Sequence, residues 1–176
     1  MPTTLPPFAH LLLAAEPSPG IPPADRLYDF LIGSWDLEIR DRLDDGSVRA
    51  GTGECHAAWV LEGRAVQDVW IAPAVALRGA ATPRSGNRYG TTLRVYDPAS
   101  RTWRVTWINP VSGAHHELVG RREGHAVVQE GRDPQGQSIR WSFRDVTAPV
   151  LHWTGEASDD AGRTWRVQTE FFLRRR

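Results

Sequence analysis

The chain has no lysine: all 21 of its Lys+Arg residues are arginine. That removes Schiff-base chemistry, a phosphate-loop lysine and any amine nucleophile from consideration. A single cysteine, Cys55, excludes an internal disulfide framework and a thiolate cluster for zinc. The basic excess that nucleic-acid binding calls for is also missing, because 21 acidic residues bring the net charge to zero. No apolar run approaches the roughly 20 residues of a membrane span. Neither nucleic acid nor membrane is therefore an expected partner. What is present is 176 residues, 40% hydrophobic and 24% charged, enough for one domain with a real core.

Proline is concentrated at the start. Seven of the 13 prolines (Pro2, Pro6, Pro7, Pro17, Pro19, Pro22 and Pro23) fall in the first 23 residues. Residues 1–23 read as an arm distinct from a domain at 24–176, partly helical at 8–15, and either a lid over an opening or a disordered leader. Residues 8–15 make a poor signal peptide, since no positive residue precedes them and the apolar run is short; a cytoplasmic protein is expected. After Pro22-Pro23, residues Leu27, Phe30 and Leu31 share one helical face, which predicts a short helix over 24–32 ended by Gly33.

From Ser34 the pattern changes to strand and turn at the spacing of an all-β domain. Trp35, Leu37 and Ile39 alternate with Asp36, Glu38 and Arg40. Further strands are expected at 49–60, 64–72, 88–96, 102–109, 113–121, 125–131, 137–146, 149–157 and 164–173, with a longer loop at 73–87. No helix-length crossover separates them, so neighbours pair as antiparallel hairpins. The expected fold is all-β: an antiparallel up-and-down β-barrel of about ten strands with a short N-terminal helix, closed so that no edge is left unpaired.

The stretch Phe30-Leu31-Ile32-Gly33-Ser34-Trp35-Asp36-Leu37-Glu38 resembles the opening of the lipocalin-like, or calycin, barrels, where a short helix leads into a Gly-x-Trp strand. More closely, the chain resembles an uncharacterised bacterial family of lipocalin-like domains. The segments that carry this are Gly63-Arg64-Ala65-Val66-Gln67-Asp68-Val69-Trp70, Tyr89-Gly90-Thr91-Thr92-Leu93-Arg94-Val95-Tyr96-Asp97-Pro98 and Ser158-Asp159-Asp160-Ala161-Gly162-Arg163-Thr164-Trp165. The resemblance spans about 24–176 and implies a barrel without implying an activity. A more distant similarity to nitrobindin-type barrels raises haem held by one histidine. His152 lies at a plausible depth but in no matching motif, and the glycine ladder of those proteins is replaced here by Asp36-Leu37-Glu38-Ile39-Arg40, so no cofactor is expected.

Six histidines invite a metal reading, but His115 and His116 are adjacent on a strand and point to opposite faces. No His-x-His or His-Glu-x-x-His spacing occurs, and no metal is expected. Gly-x-Ser-x-Gly is absent. Cys55 and His56 diverge on a strand, leaving Cys55 as a small inward hydrophobe. The Ser158-x-Asp160-x-Gly162-x-Thr164-Trp165 segment matches the Asp-box hairpin pattern, whose role is to stabilise a turn.

What is left is the barrel lining. Eight tryptophans run from Trp35 to Trp165, and indoles that numerous usually line a barrel or a cavity. Taking the more apolar alternation as inward gives Cys55, Ala57 and Trp59 on one strand and Ala65, Gln67, Val69 and Ile71 on the next. It gives Tyr89, Thr91, Leu93 and Val95 after that, then Trp103, Val105, Trp107 and Asn109. Ile139, Trp141, Phe143 and Asp145 follow, with Trp165, Val167, Thr169 and Phe171 at the end. At 149–157, Leu151 and Trp153 compete with His152, Thr154 and Glu156 for the interior. The expected ligand site is Trp59, Trp107 and Trp141 for a planar, moderately apolar molecule, with Gln67, Thr91 and Asn109 as polar contacts. His116, His152 and Thr169 complete it. Two functions stay open: binding of a small apolar or aromatic molecule, or a cofactor-independent isomerase or cyclase that folds a polyene or polyketide-like substrate. In the second, His116, His152 or Asp145 would move a proton. The arginine-rich outer faces read as solvated or dimerising, so a homodimer also stays open.

Overall fold

Trp35, Leu37 and Ile39 are each at most 4% exposed while the residues between them are wet, and this period of two sets the wall of a closed barrel. The structure, a computed structural model, describes residues 6–79 and 88–176. Helix α1 (Pro7–Leu12) and strand β1 (Leu13–Ala14) belong to the arm. The barrel strands are β2 (Gly33–Arg42), β3 (Val48–Val60), β4 (Ala65–Ala72), β5 (Arg88–Asp97) and β6 (Thr102–Asn109). They continue as β7 (Ala114–Glu123), β8 (Ala126–Arg132), β9 (Ser138–Phe143), β10 (Val150–Ser158) and β11 (Arg166–Arg175). Each pairs antiparallel with the next in sequence, and β11 pairs with β2, which closes ten strands into a ring. Among the described residues no helix is long and apolar enough to cross a membrane. Most of the expected loop at 73–87 lies outside the described residues.

The helix expected over 24–32 is instead two single 3-10 turns, Pro23–Asp25 and Asp29–Leu31. The reason is tertiary. This segment is drawn across the base of the barrel, where Leu27, Tyr28 and Leu31 are buried. Two indoles from the wall take its carbonyls: Trp103 Nε1 donates to Asp25 O at 2.9 Å and Trp35 Nε1 to Leu31 O at 2.8 Å. Tyr28 meets Trp103 edge-on at 5.2 Å. With Trp59, Phe143 and Leu173 these residues fill the base solidly.

The arm also packs at the base. Leu13 pairs with Val60 and Ala14 with Trp59. The chain then turns back against Gly63, whose φ is +74°; a Cβ there would stand 2.2 Å from the Glu16 carbonyl. The described part of the arm is thus at the end opposite Asp41, Arg49 and Arg88, where the barrel opens, which is where a lid would have to sit.

Candidate functional site

The closed base leaves the other half of the barrel less filled, because aromatic side chains from five strands lean over rather than fill its axis. They enclose a cavity of about 260 Å³. Trp107 on β6 meets Trp141 on β9 edge-on at 6.4 Å, and Trp141 approaches Trp153 on β10 at 5.8 Å. Trp153 stacks on Phe171 of β11 at 4.8 Å, and Phe171 reaches Trp70 of β4 at 5.2 Å. The result is a continuous aromatic arc. Gly90 permits its close packing: a Cβ there would lie 2.5 Å from the Trp107 ring.

The opposite wall is polar, and it comes from β4 and β5. Their inward faces are the reverse of the sequence expectation. Val66, Asp68, Trp70 and Ala72 face the interior on β4, and Arg88, Thr92 and Arg94 on β5. Gln67 and Val69 lie on the other face with Tyr89, Thr91, Leu93 and Val95, while the buried Ile71 also borders the cavity. A shift of one residue moves every side chain to the other face, and apolarity selected the wrong phase because the inner wall carries three charges.

Those charges are compensated. Arg94 is 2% exposed, and its Nη1 donates to Asp68 Oδ2 at 2.5 Å. Its Nε donates to Gln129 Oε1 at 3.3 Å, an acceptor shared with the Tyr28 hydroxyl, and the guanidinium lies over the Tyr28 ring. Asp68 Oδ1 accepts from the Thr92 amide at 2.9 Å. Burial pushes the Tyr28 hydroxyl and the Cys55 thiol well above their ordinary values, so neither ionises near neutrality. Nearer the opening, Arg88 holds both oxygens of Asp41, which also accepts from Arg49 and from the Thr169 hydroxyl at 3.0 Å. Burial pushes the Asp41 carboxyl up, but Arg88, Arg49 and Thr169 outweigh it and hold it below the usual carboxylate value.

Of the expected site residues, Trp107, His116, Trp141 and Thr169 line the cavity. His116 Nδ1 is buried without a partner, and its ring meets Trp141 edge-on at 5.5 Å. Burial pulls its pKa below the ordinary histidine value; nearby Asp133 opposes this and His115 adds to it. The other five are elsewhere. Trp59 is packed into the base beside Trp103. Gln67 donates to the Thr91 hydroxyl at 3.0 Å on the outer wall. Asn109 caps the turn after β6 by accepting from the Val111 amide. His152 also faces out, stacked on Phe172 and 3.1 Å from Glu170 Oε1. It is Leu151 and Trp153 that take the interior of β10.

Two of the groups proposed to move a proton are therefore outside the cavity, since Asp145 caps its own turn by accepting from Thr147. Trp165 also leaves the lining: it lies on the outer wall under the Arg140 guanidinium at 4.3 Å. Among the described residues, no group of three His, Cys, Asp or Glu side chains comes together as a metal site. Sequence reasoning missed Asp68, Trp70, Arg88, Thr92 and Arg94. The available signal was a pair of single, opposite charges midway along two neighbouring strands, which is how a buried ion pair is written in sequence.

No protein-family model matches the chain, and no curated protein matches it either. A solved structure does. It is Rv2717c from M. tuberculosis, similar with a TM-score of 0.60 at 17% identity over 89% of this chain and 99% of that one. At that identity the likeness shows the barrel fold alone.

Proposed function

We propose that the protein binds a small, planar, largely apolar molecule inside the open half of the barrel. The observation that carries this reading is the arc of Trp70, Trp107, Trp141, Trp153 and Phe171 around a 260 Å³ space. That volume lies just below the roughly 300–1,000 Å³ of drug-sized sites and suits one or two fused rings. Burying about 250 Å² of apolar ligand surface at about 25 cal/mol per Å² contributes about 6 kcal/mol before the cost of association. Millimolar affinity or weaker is the scale that follows from apolar burial alone.

The test is a titration with one- and two-ring aromatics, read by tryptophan fluorescence and by the indole N–H resonances of the protein. Saturable quenching with shifts at Trp107 and Trp141, and none at Trp165 on the outer wall, is the expected result. Absence of binding across such a set would overturn the reading and leave a barrel whose cavity is only a packing gap.

A further inference from the structure

We infer that the ligand is electrically neutral and presents a hydrogen-bond acceptor of the carbonyl type to Arg94 and Thr92 on the polar wall. This rests on the binding reading above and specifies its chemistry. Arg94 uses Nη1 and Nε on Asp68 and Gln129 and lies beside the Tyr28 hydroxyl, while among the described residues its Nη2 makes no hydrogen bond of ordinary length. Thr92 gives its backbone amide to Asp68, and its hydroxyl makes no hydrogen bond among the described residues. Both residues line the cavity, and neither atom is among the polar atoms sealed away without a partner. Two donors from side chains no more than 2% exposed therefore point at space that an aromatic ring would occupy. A donor left facing an apolar ligand loses its hydration without a replacement partner, at a higher cost when it is charged. An occupant that accepts from both removes that penalty.

The charge state follows from how the described charged groups on this wall and at the opening are paired. Arg94 faces Asp68, and Arg88 faces Asp41, with Arg49 behind it. Asp133, on the opposite rim, is held by the Gln135 and Gln137 amides. Arg94 and Arg88 are each neutralised by an aspartate, Arg78 at the strand ends donates to the Ala72, Pro73 and Arg88 carbonyls, and burial disfavours the charged form of His116. A ligand carboxylate would thus have to share Arg94 with Asp68. The second carboxylate would lose its hydration for a cation already neutralised. A cationic ligand is no better placed, since both buried carboxylates are already engaged by arginine. A neutral acceptor makes its hydrogen bonds without that cost.

Three probes on one ring system separate the possibilities: 2-acetylnaphthalene, 2-naphthoate and naphthalene, each titrated into the full chain at pH 7.5. The ketone is expected to bind at least tenfold more tightly than either of the others. The Arg94 Nε–H resonance should move with the ketone and stay in place with naphthalene. Thr92→Val, which keeps the shape and removes the hydroxyl, should narrow the gap between ketone and hydrocarbon severalfold. Naphthoate binding as tightly as the ketone would overturn the charge argument. Naphthalene binding as tightly would overturn the donor argument, with the proposed function intact in both cases. Failure of all three to bind would overturn the inference together with the binding reading on which it rests.

Discussion

Arg94 and Asp68 face each other across β5 and β4 with side chains 2% and 0% exposed, joined at 2.5 Å. They stand on the inside of the barrel while Val69 and Leu93, their apolar neighbours in sequence, stand outside. The pair is anchored on all sides: the Thr92 amide and Gln129 complete its hydrogen bonds, and Tyr28 from the base lies under the guanidinium. It forms the polar floor against which the aromatic arc closes.

Removing one partner leaves the other charged, dry and alone. Asp68→Asn or Arg94→Met should each cost about 3–5 kcal/mol in urea unfolding, whereas the double change Asp68→Leu with Arg94→Met should cost far less than their sum. Additive losses would mean that the two residues act independently.

Gly90 sits where Trp107 crosses β5. A Cβ there would be 2.5 Å from the Ile108 carbonyl, which is backbone and cannot swing away. Gly90→Ala should therefore destabilise by about 1–3 kcal/mol and perturb the Trp107 resonance. An unchanged melting temperature would contradict the packing described.

Asp160 organises the last hairpin. The amide of Thr164, then its hydroxyl, then Ser158 hold its carboxyl down to about 2. Its folded pKa lies below the unfolded value, so its stabilisation is complete above about pH 4 and is lost as the pH falls towards 2. Asp160→Asn should flatten the acid limb of the stability curve over that window. An identical curve would place the acid sensitivity elsewhere.

His116 carries a lowered pKa from burial. The unfolded chain therefore takes up its proton first as the pH drops below about 6.5, and stability should erode from there downwards through this residue. Its ring resonances should show a neutral imidazole at pH 7, and His116→Phe should remove this part of the pH dependence.

The arm joins β3 at Trp59 and Val60, far along the strands from the opening. Removing residues 1–17, which spares the buried Ile21, should leave ligand affinity within about twofold while lowering the melting temperature. A large change in ligand release rate would instead place the arm over the cavity.

The strands that read correctly are those whose inner face is apolar without interruption. Trp35, Leu37 and Ile39 on β2, Trp103, Val105 and Trp107 on β6, and Ile139, Trp141 and Phe143 on β9 alternate with polar residues, and period and burial agree. On β4 and β5 the two disagree. The inner positions carry Asp68, Thr92 and Arg94, and the outer ones Val69 and Leu93, so the hydrophobic signal is inverted. Four of the nine expected site residues lie on the cavity, and two of the misses, Gln67 and Thr91, follow from that single inversion. Residues 24–32 carry a helical spacing of Leu27, Phe30 and Leu31, but the demand for those side chains at the base, at different depths, stretched the segment into two turns.

Strand number, antiparallel order and closure are local in origin: turn residues at regular intervals and short connectors leave a chain no other way to pair its strands. Those follow from the local order of residues alone. Which face of β4 and β5 points inwards, which four of the eight tryptophans surround the cavity, and where the charges cancel were decided only in three dimensions. A buried ion pair is stable through its partner on the next strand and its third and fourth contacts from distant segments. None of those neighbours is visible in the alternation of a single strand.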